Sequence, residues 1–106
     1  MITHHDGCFG CGQANLFGLQ LETDGVRGRF FVKQDHQGEP GQAHEGIIAT
    51  ALYEAITLAD GERRPGRLEV EFLAPAPVGV FVEVSADATG ASASADGRLV
   101  ARATVS

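Results

Sequence analysis

The chain has 106 residues, which is enough for one domain and too few for two of ordinary size. Its formal net charge of -6, from 14 acidic and 8 basic residues, disfavours nucleic acid and anionic membrane surfaces as partners. No apolar run approaches the roughly 18 residues of a membrane span, and the N-terminus MITHHDGCFGCG lacks the basic and apolar regions of a signal peptide. We therefore expect one cytoplasmic domain over residues 1–106.

The first part of the chain predicts a loop followed by a β-hairpin. Residues 1–15 contain three glycines and the Cys-x-x-Cys spacing, and they show no regular period, so they are expected to form a cysteine-containing loop. Apolar and polar residues alternate over 17–21, which predicts a half-buried strand. Asp24-Gly25 is typical of a tight turn, and the alternation over 26–33 predicts the returning strand.

A central helix is predicted over residues 44–60. Glu45 falls in its first turn, where the helix dipole favours an acid, and Asp60-Gly61 is expected to end it. The following apolar residues recur at three- and four-residue spacing and give one continuous apolar face: Ile47, Ile48, Ala51, Leu52, Ala55, Ile56 and Ala59.

The remainder of the chain predicts strands. Alternation is clear over 68–72, 78–84 and 98–105, whereas residues 85–96 are small and weakly patterned and are interpreted as a hairpin tip or a ragged strand pair. A single helix that is apolar over most of its surface needs a large cover, and an antiparallel sheet curled around it provides one. The expected fold class is α+β.

Three segments together resemble the hotdog-fold thioesterase superfamily, specifically its phenylacetate-pathway-like acyl-CoA thioesterase branch. They are CFGCGQANLFGLQL at 8–21, HQGEPGQAHEGIIATALYEA at 36–55, and LEVEFLAPAPVG at 68–79 followed by GRLVARATV at 97–105. The resemblance implies an antiparallel β-sheet wrapped around one long helix, in a homodimer or a dimer of dimers. It also implies that an acyl-CoA or another thioester small molecule is bound at the dimer interface and hydrolysed without a cofactor.

The resemblance also implies a catalytic arrangement. The backbone amide of Glu45, which follows the motif histidine His44, would stabilise the thioester oxyanion, and a carboxylate further along the helix would activate water or attack the carbonyl. The sequence departs from the pattern because Glu45 replaces one glycine of His-Gly-Gly and Tyr53 stands where the acid is expected. Adjacent helical residues differ by about 100° in direction, so Glu54 is not a simple substitute. The candidate catalytic residues are Glu45, Gly46, Tyr53 and Glu54, with Tyr53 as proton donor and Glu45 or Glu54 orienting water.

The connector after the helix contains the only basic cluster of the acidic chain. Arg63, Arg64 and Arg67 carry guanidinium groups, which suit bidentate contacts with the phosphates of coenzyme A. A solvated polar connector is the alternative interpretation.

The two cysteines suggest a metal site. The Cys-x-x-Cys spacing lets two thiolates share one zinc ion, and two histidines would complete a tetrahedral structural site. The candidate ligands are Cys8, Cys11, His36 and His44. In the alternative, both cysteines are buried small residues and the histidines make local hydrogen bonds. His4 and His5 are weaker candidates because they lie near a terminus, where chains are commonly disordered.

Two other function classes remain open. The tyrosine at the expected position of the acid favours a non-catalytic hotdog binding module that keeps the fold and the dimer. A small zinc-dependent interaction domain is a third reading, supported by the cysteines and histidines alone.

Overall fold

The computed structural model describes residues 1–59 and 61–105, and in this part of the chain one α-helix packs against a six-stranded antiparallel sheet. The elements are β1 (Glu22–Thr23), β2 (Arg27–Phe31), α1 (Glu45–Ala59), β3 (Leu68–Phe72), β4 (Phe81–Asp87), β5 (Gly90–Ala95) and β6 (Arg98–Val105). A short 3-10 helix, Gln34–His36, precedes α1. The α+β class and the hotdog arrangement predicted from the sequence are confirmed.

The order of strands across the sheet is β1-β2-β4-β5-β6-β3, and every neighbouring pair is antiparallel. The helix lies between β2 and β3 in sequence, so the chain passes from one side of the sheet to its far edge through α1. Among the described strands, β3 pairs only with β6, which leaves its other edge free. Such an edge is a ready surface for pairing with another chain.

The core lies between α1 and the inner face of the sheet. Leu52 and Ile56 of the helix are buried in the same cluster as Phe30 of β2 and Val82 of β4. The strands β5 and β6 contribute small side chains to this face: Ala93, Ala95, Ala101 and Ala103. Because alanine side chains are short, the helix can lie close to these two strands where the alanines face it.

The predicted helix over 44–60 is found at Glu45–Ala59. Asp60, which was expected to help end it, lies outside the described residues. Gly61 has a φ of 58°, a left-handed conformation that glycine adopts without the steric penalty of a Cβ atom, as is common just after a helix. No helix in the described part of the chain is long and apolar enough to cross a membrane.

One strand prediction needs correction. Residues 17–21 do not form a strand: Leu19 and Leu21 are buried, but their amides donate to Phe9 and Gly10 carbonyls of the N-terminal loop, at 2.8 and 2.9 Å. Gln20, between them, has a φ of 53°, which is incompatible with a regular strand. The weakly patterned stretch 85–96 contains the end of β4 and all of β5, with a register shift near the end of β5.

Candidate functional site

The turn in front of α1 is fixed by backbone hydrogen bonds. The amide of Gly38 donates to the Gln42 carbonyl at 2.8 Å, and that of Ala43 donates to the Ala76 carbonyl at 2.8 Å. The amide of His44 donates to the His36 carbonyl, also at 2.8 Å. The chain therefore enters the helix from a defined direction, held by both the 3-10 helix and the segment after β3.

The first turn of α1 leaves one amide available. The Nδ1 atom of His44 accepts a hydrogen bond from the Gly46 N–H at 2.8 Å, so the imidazole caps the helix. The His44 carbonyl accepts from Ile47 and Ile48. Within residues 1–59 and 61–105, the Glu45 N–H donates to no protein acceptor. This amide lies at the positive end of the helix dipole, where negative charge is stabilised.

A cleft of about 750 Å³ opens at this end of the helix. Its walls are the turn before the helix, the first helical turn, and the segment where β3 ends, including Gly38, Gln42, His44, Glu45, Ile48, Phe72, Leu73 and Pro75. The Glu45 side chain is exposed, while Phe72 and Leu73 are apolar and 43% and 46% exposed. The cleft thus combines an apolar wall with an available amide and a carboxylate.

Tyr53 lies elsewhere on the helix. It is eight residues beyond Glu45, which corresponds to about 12 Å along the helix axis, and it does not line the cleft. Its side chain is half-buried, and among the described residues no side chain or backbone group hydrogen-bonds to its hydroxyl. Within a single chain, Tyr53 and Glu45 are not brought together.

Glu54 lies in a second group of polar side chains, covered by the N-terminal loop. Its side chain is buried, with the residue 6% exposed. The Cys8 thiol donates to Glu54 Oε1 at 3.2 Å, and His4 Nδ1 lies 3.0 Å from the same oxygen. Cys11 Sγ lies 3.3 Å from His4 Nδ1. One ligand atom from each of these four residues lies within 4.8 Å of the others, a grouping that could hold a metal ion.

The loop around this group is tightly folded. The Gly12 amide donates to the Cys8 carbonyl at 2.9 Å, and the Gly10 amide donates to Cys8 Sγ at 3.3 Å. A Cβ atom on Gly10 would lie 2.6 Å from Cγ of Glu54, so the loop backbone lies directly against this side chain. Glycine is needed there for close approach.

Cys11 is fully buried in this group. Burial raises the pKa of its thiol to about 12; a hydrogen bond involving the His4 backbone acts in the opposite direction, and the Glu54 carboxylate adds to the rise. The thiolate is the nucleophilic form of cysteine. With no metal bound, Cys11 therefore remains a neutral thiol near pH 7 and is not suited to nucleophilic catalysis.

The four-residue group differs from the zinc ligand set predicted from the sequence. It contains Cys8 and Cys11 but neither His36 nor His44. The buried His36 ring accepts the Lys33 N–H at Nδ1, at 3.1 Å. Its Nε2 lies 3.3 Å from the Phe17 carbonyl and 3.2 Å from that of Gly18, an arrangement that assigns the proton to Nε2. His44 caps the helix.

The sequence prediction of the metal ligands did not include His4 and Glu54, which the structure places beside the two cysteines. The spacing from His4 to the cysteines, His-x3-Cys-x2-Cys, is visible in the sequence, but the position near a terminus argued against it. Glu54 is 46 residues from Cys8, and no local pattern links them.

The arginine cluster follows the C-terminal end of α1, whereas the cleft lies at the N-terminal end. Arg63, Arg64 and Arg67 are exposed, and none of them lines the cleft. A helix of 15 residues is about 22 Å long. The structure therefore does not bring the arginines and the Glu45 amide into one cavity of a single chain.

No protein-family model matches the sequence, and no curated protein matches it. Solved structures of thioesterase superfamily proteins do match the fold. A crystal structure described as a thioesterase superfamily protein has a TM-score of 0.72 at 20% identity, over 92% of this chain and 61% of its own, so this chain spans less than two thirds of that protein. A hypothetical thioesterase from Streptococcus pneumoniae, solved with coenzyme A, has a TM-score of 0.68 at 18% identity, over 80% and 82% of the two chains.

The E. coli PaaI protein, from the phenylacetic acid degradation operon, has a TM-score of 0.67 at 12% identity, over 82% of this chain and 81% of its own. At these identities the likeness concerns the fold. The structural neighbours therefore include the branch that the sequence motifs resemble.

Proposed function

We propose that the protein binds a coenzyme A thioester in the cleft at the start of α1 and hydrolyses it. The observation that carries this proposal is the Glu45 amide, which is free of protein acceptors in the described part of the chain and stands at the helix N-terminus beside the cleft. A donor placed there would stabilise the charge that develops on a thioester carbonyl oxygen. The coenzyme A bound to the Streptococcus pneumoniae neighbour of the same fold supports this ligand class.

The proposed reaction is direct hydrolysis by water. The Glu45 carboxylate takes a proton from a water molecule that attacks the thioester carbon, while the Glu45 amide holds the oxyanion. Collapse of the tetrahedral intermediate breaks the carbon–sulfur bond and releases a thiolate, which receives a proton from Tyr53. Proton return from Glu45 to Tyr53 through solvent restores both groups. No cofactor takes part in these steps.

We infer that the complete site lies between two copies of the chain. Tyr53 does not line the cleft of its own chain, so as a proton donor it would act on the cleft of a partner. The free edge of β3 and the exposed Phe72 and Leu73 at the cleft wall provide a surface for such a partner. The arginines at the far end of α1 would contact coenzyme A phosphates in the same assembly. A dimer or a dimer of dimers satisfies these requirements.

A non-catalytic thioester-binding module is the second candidate function. The observation that favours it is Tyr53, a weak acid at the helix position where the resembling branch has a carboxylate. Such a module would retain the oxyanion donor and the cleft and would bind coenzyme A without turning over its thioesters.

The test is hydrolysis of a panel of acyl-CoA thioesters by the purified full chain, with free coenzyme A binding measured by calorimetry and the mass of the assembly measured by light scattering. We expect thioester hydrolysis by a dimer or tetramer. Glu45→Gln should lower kcat about 10²- to 10⁴-fold, the usual contribution of a general base, with coenzyme A affinity changed much less. The matched control is Glu83→Gln, which makes the same chemical change at an exposed position of β4.

The outcomes separate the two candidates. Binding of coenzyme A without hydrolysis would establish the binding module, and the double change Tyr53→Asp with Glu45→Gly should then create activity. If the protein neither binds coenzyme A nor hydrolyses any thioester of the panel, both candidates are wrong.

A further inference from the structure

We propose that His4, Cys8, Cys11 and Glu54 form a closed structural zinc site that fastens the N-terminal loop to the middle of α1. Its ligand atoms would be His4 Nδ1, the two cysteine Sγ atoms and one Glu54 carboxylate oxygen. This proposal is independent of the thioesterase proposal, because the group lies outside the residues that line the cleft.

The geometry suits a four-coordinate ion. Three separations between ligand atoms are known individually: 3.0 Å between His4 Nδ1 and Glu54 Oε1, 3.2 Å between Cys8 Sγ and Glu54 Oε1, and 3.3 Å between Cys11 Sγ and His4 Nδ1. Tetrahedral zinc with ordinary bond lengths places such pairs of ligand atoms about 3.4 to 3.6 Å apart. Outward movements of a few tenths of an ångström would bring these three pairs to the tetrahedral spacing, and the remaining pairs lie within 4.8 Å of one another.

The chemistry of the donor set selects the metal class. Two thiolates and an imidazole favour zinc over magnesium or calcium, and a carboxylate is an accepted fourth ligand. With four protein ligands no position is left for water or substrate, which is the arrangement of a structural site rather than a catalytic one.

The buried carboxylate gives an independent reason for a cation. Glu54 is 6% exposed on a mainly apolar helix, and the only basic side chain paired with it in the described part of the chain is His4. An ionised carboxylate removed from water is costly unless it is paired or coordinates a metal. A divalent ion would compensate Glu54 and also account for the two thiols that converge on the same point.

The N-terminal loop holds the Cys8 sulfur in place. The Gly10 N–H donates to Cys8 Sγ at 3.3 Å, and the Gly12 N–H donates to the Cys8 carbonyl at 2.9 Å. The loop backbone lies against Glu54 where Gly10 has no side chain. Three ligands come from residues 4–11 and the fourth from the helix, so metal binding would close a long loop and contribute to folding.

A hydrogen-bonded group without metal is the competing explanation. In that case the thiols, His4 and Glu54 satisfy one another, and the protein has no stoichiometric affinity for divalent ions. The two explanations differ in a measurable way on the unmodified chain, so no variant needs to fold for the proposal to be tested.

The first experiment uses the full chain purified without a histidine tag. We expect about one zinc per chain by elemental analysis. After removal of zinc with a chelator, titration with Co²⁺ should end at one ion per chain, with the strong visible absorption of tetrahedral cobalt and a thiolate-to-cobalt charge-transfer band. Absence of zinc, together with no stoichiometric cobalt binding, would overturn the proposal.

The second experiment compares two adjacent histidines. His4→Ala removes a proposed ligand, whereas His5→Ala removes the exposed neighbouring imidazole and is the matched control. We expect His4→Ala to weaken zinc binding at least about 10- to 100-fold, the effect known for disturbing even the outer partners of a metal site. His5→Ala should bind zinc like the natural chain. Equal losses in the two variants would show adventitious binding to a flexible histidine pair and would contradict the proposal.

The third experiment uses Glu54→Gln to test whether the carboxylate is a ligand, since the amide preserves the size of the side chain and removes its charge. Zinc affinity should fall as for His4→Ala, and the thiol-to-cobalt charge-transfer band should persist because both cysteines remain. Unchanged affinity in Glu54→Gln would exclude the carboxylate from the ligand set.

Discussion

The two glutamates of α1 lie in opposite surroundings although they are nine positions apart on the same helix. Glu45 is exposed at the open end of the helix, beside a cleft, and its own amide has no protein acceptor among the described residues. Glu54 is buried beneath the N-terminal loop, in contact with a thiol and an imidazole. The same type of side chain therefore presents an exposed carboxylate in one region, whereas in the other its carboxylate is buried and hydrogen-bonded.

The difference arises from what covers each region. The loop that contains the two cysteines folds over Glu54 and lies against it at Gly10. The end of the helix at Glu45 is bordered by the turn before it and by the segment after β3, with the cleft between them. A helix position thus indicates which way a side chain points, while its role depends on segments distant in sequence.

The largest expected effect comes from disrupting the covered region at Gly12. A Cβ atom there would overlap the Asp6 carbonyl oxygen and the Cys8 amide nitrogen. Both are backbone atoms, so no change of side-chain rotamer can relieve the clash. We expect Gly12→Ala to lower the free energy of unfolding by about 3 kcal/mol, the upper part of the usual range for overpacking. Urea denaturation measures this loss.

Gly66→Ala is the matched control, because no atom of residues 1–59 and 61–105 lies within 4 Å of the added Cβ. It should change the free energy of unfolding by less than about 0.5 kcal/mol. If the two substitutions lowered the free energy of unfolding equally, the loop backbone would be able to shift without cost, and it would not be the rigid cover of Glu54 described above.

An intermediate effect is expected at His36, which joins the two regions. Its ring contacts the carbonyls of Phe17 and Gly18 on the loop side, and its own carbonyl accepts the His44 amide on the cleft side. His36→Phe retains a ring of similar size but removes both ring nitrogens. The Lys33 N–H then loses its acceptor, and among the described residues the buried Gly18 carbonyl keeps only the Lys33 ammonium, at 2.9 Å. We expect a loss of about 1 to 3 kcal/mol in the free energy of unfolding.

His5→Phe makes the same chemical change at an exposed position and should be nearly neutral. Hydrogen exchange would sharpen the result: protection should fall at the amides of both the loop and the first turn of α1 in His36→Phe. A loss confined to one region would contradict the joining role of His36.

The smallest effect is expected at the open end of the helix. His44→Ala removes the imidazole that accepts the Gly46 N–H, and loss of a helix cap costs about 1 kcal/mol. Thermal unfolding of the natural chain and the variant gives the difference. A His44→Asn variant, which restores a strong capping side chain, should recover most of it, and failure to do so would indicate that the imidazole acts through packing instead.

Much of the fold could be predicted from the sequence because periodicity is a local property. The helix was predicted within about one residue at its start, since its apolar face repeats regularly, and the alternation over 68–72 and 98–105 identified β3 and β6. The stretch Gly90–Ala95 was not recognised as a full strand because glycine, alanine and serine have low strand preference. It becomes a strand through pairing with β4 on one side and β6 on the other.

The candidate site was less predictable because it depends on contacts across the chain. The cysteine pair was recognised by its spacing, but its neighbours His4 and Glu54 are defined only when the loop lies on the helix. His36 and His44 were attractive as ligands from their residue type alone, and the structure shows both imidazoles engaged with backbone groups. Residue type specifies what a side chain can bind, whereas folding determines which partner reaches it.

The alanines on the inner face of β5 and β6 have a consequence for how this protein can change. Ala93 and Ala101 are opposite each other in the sheet, and both are almost completely buried in the core that contains α1. A larger residue at either place has to displace the helix, and every residue that α1 carries at the cleft and beneath the loop would move with it. Two methyl groups that belong neither to the cleft lining nor to the group around Glu54 therefore set the depth at which the helix rests. A change in specificity can begin there without replacing a residue of either site.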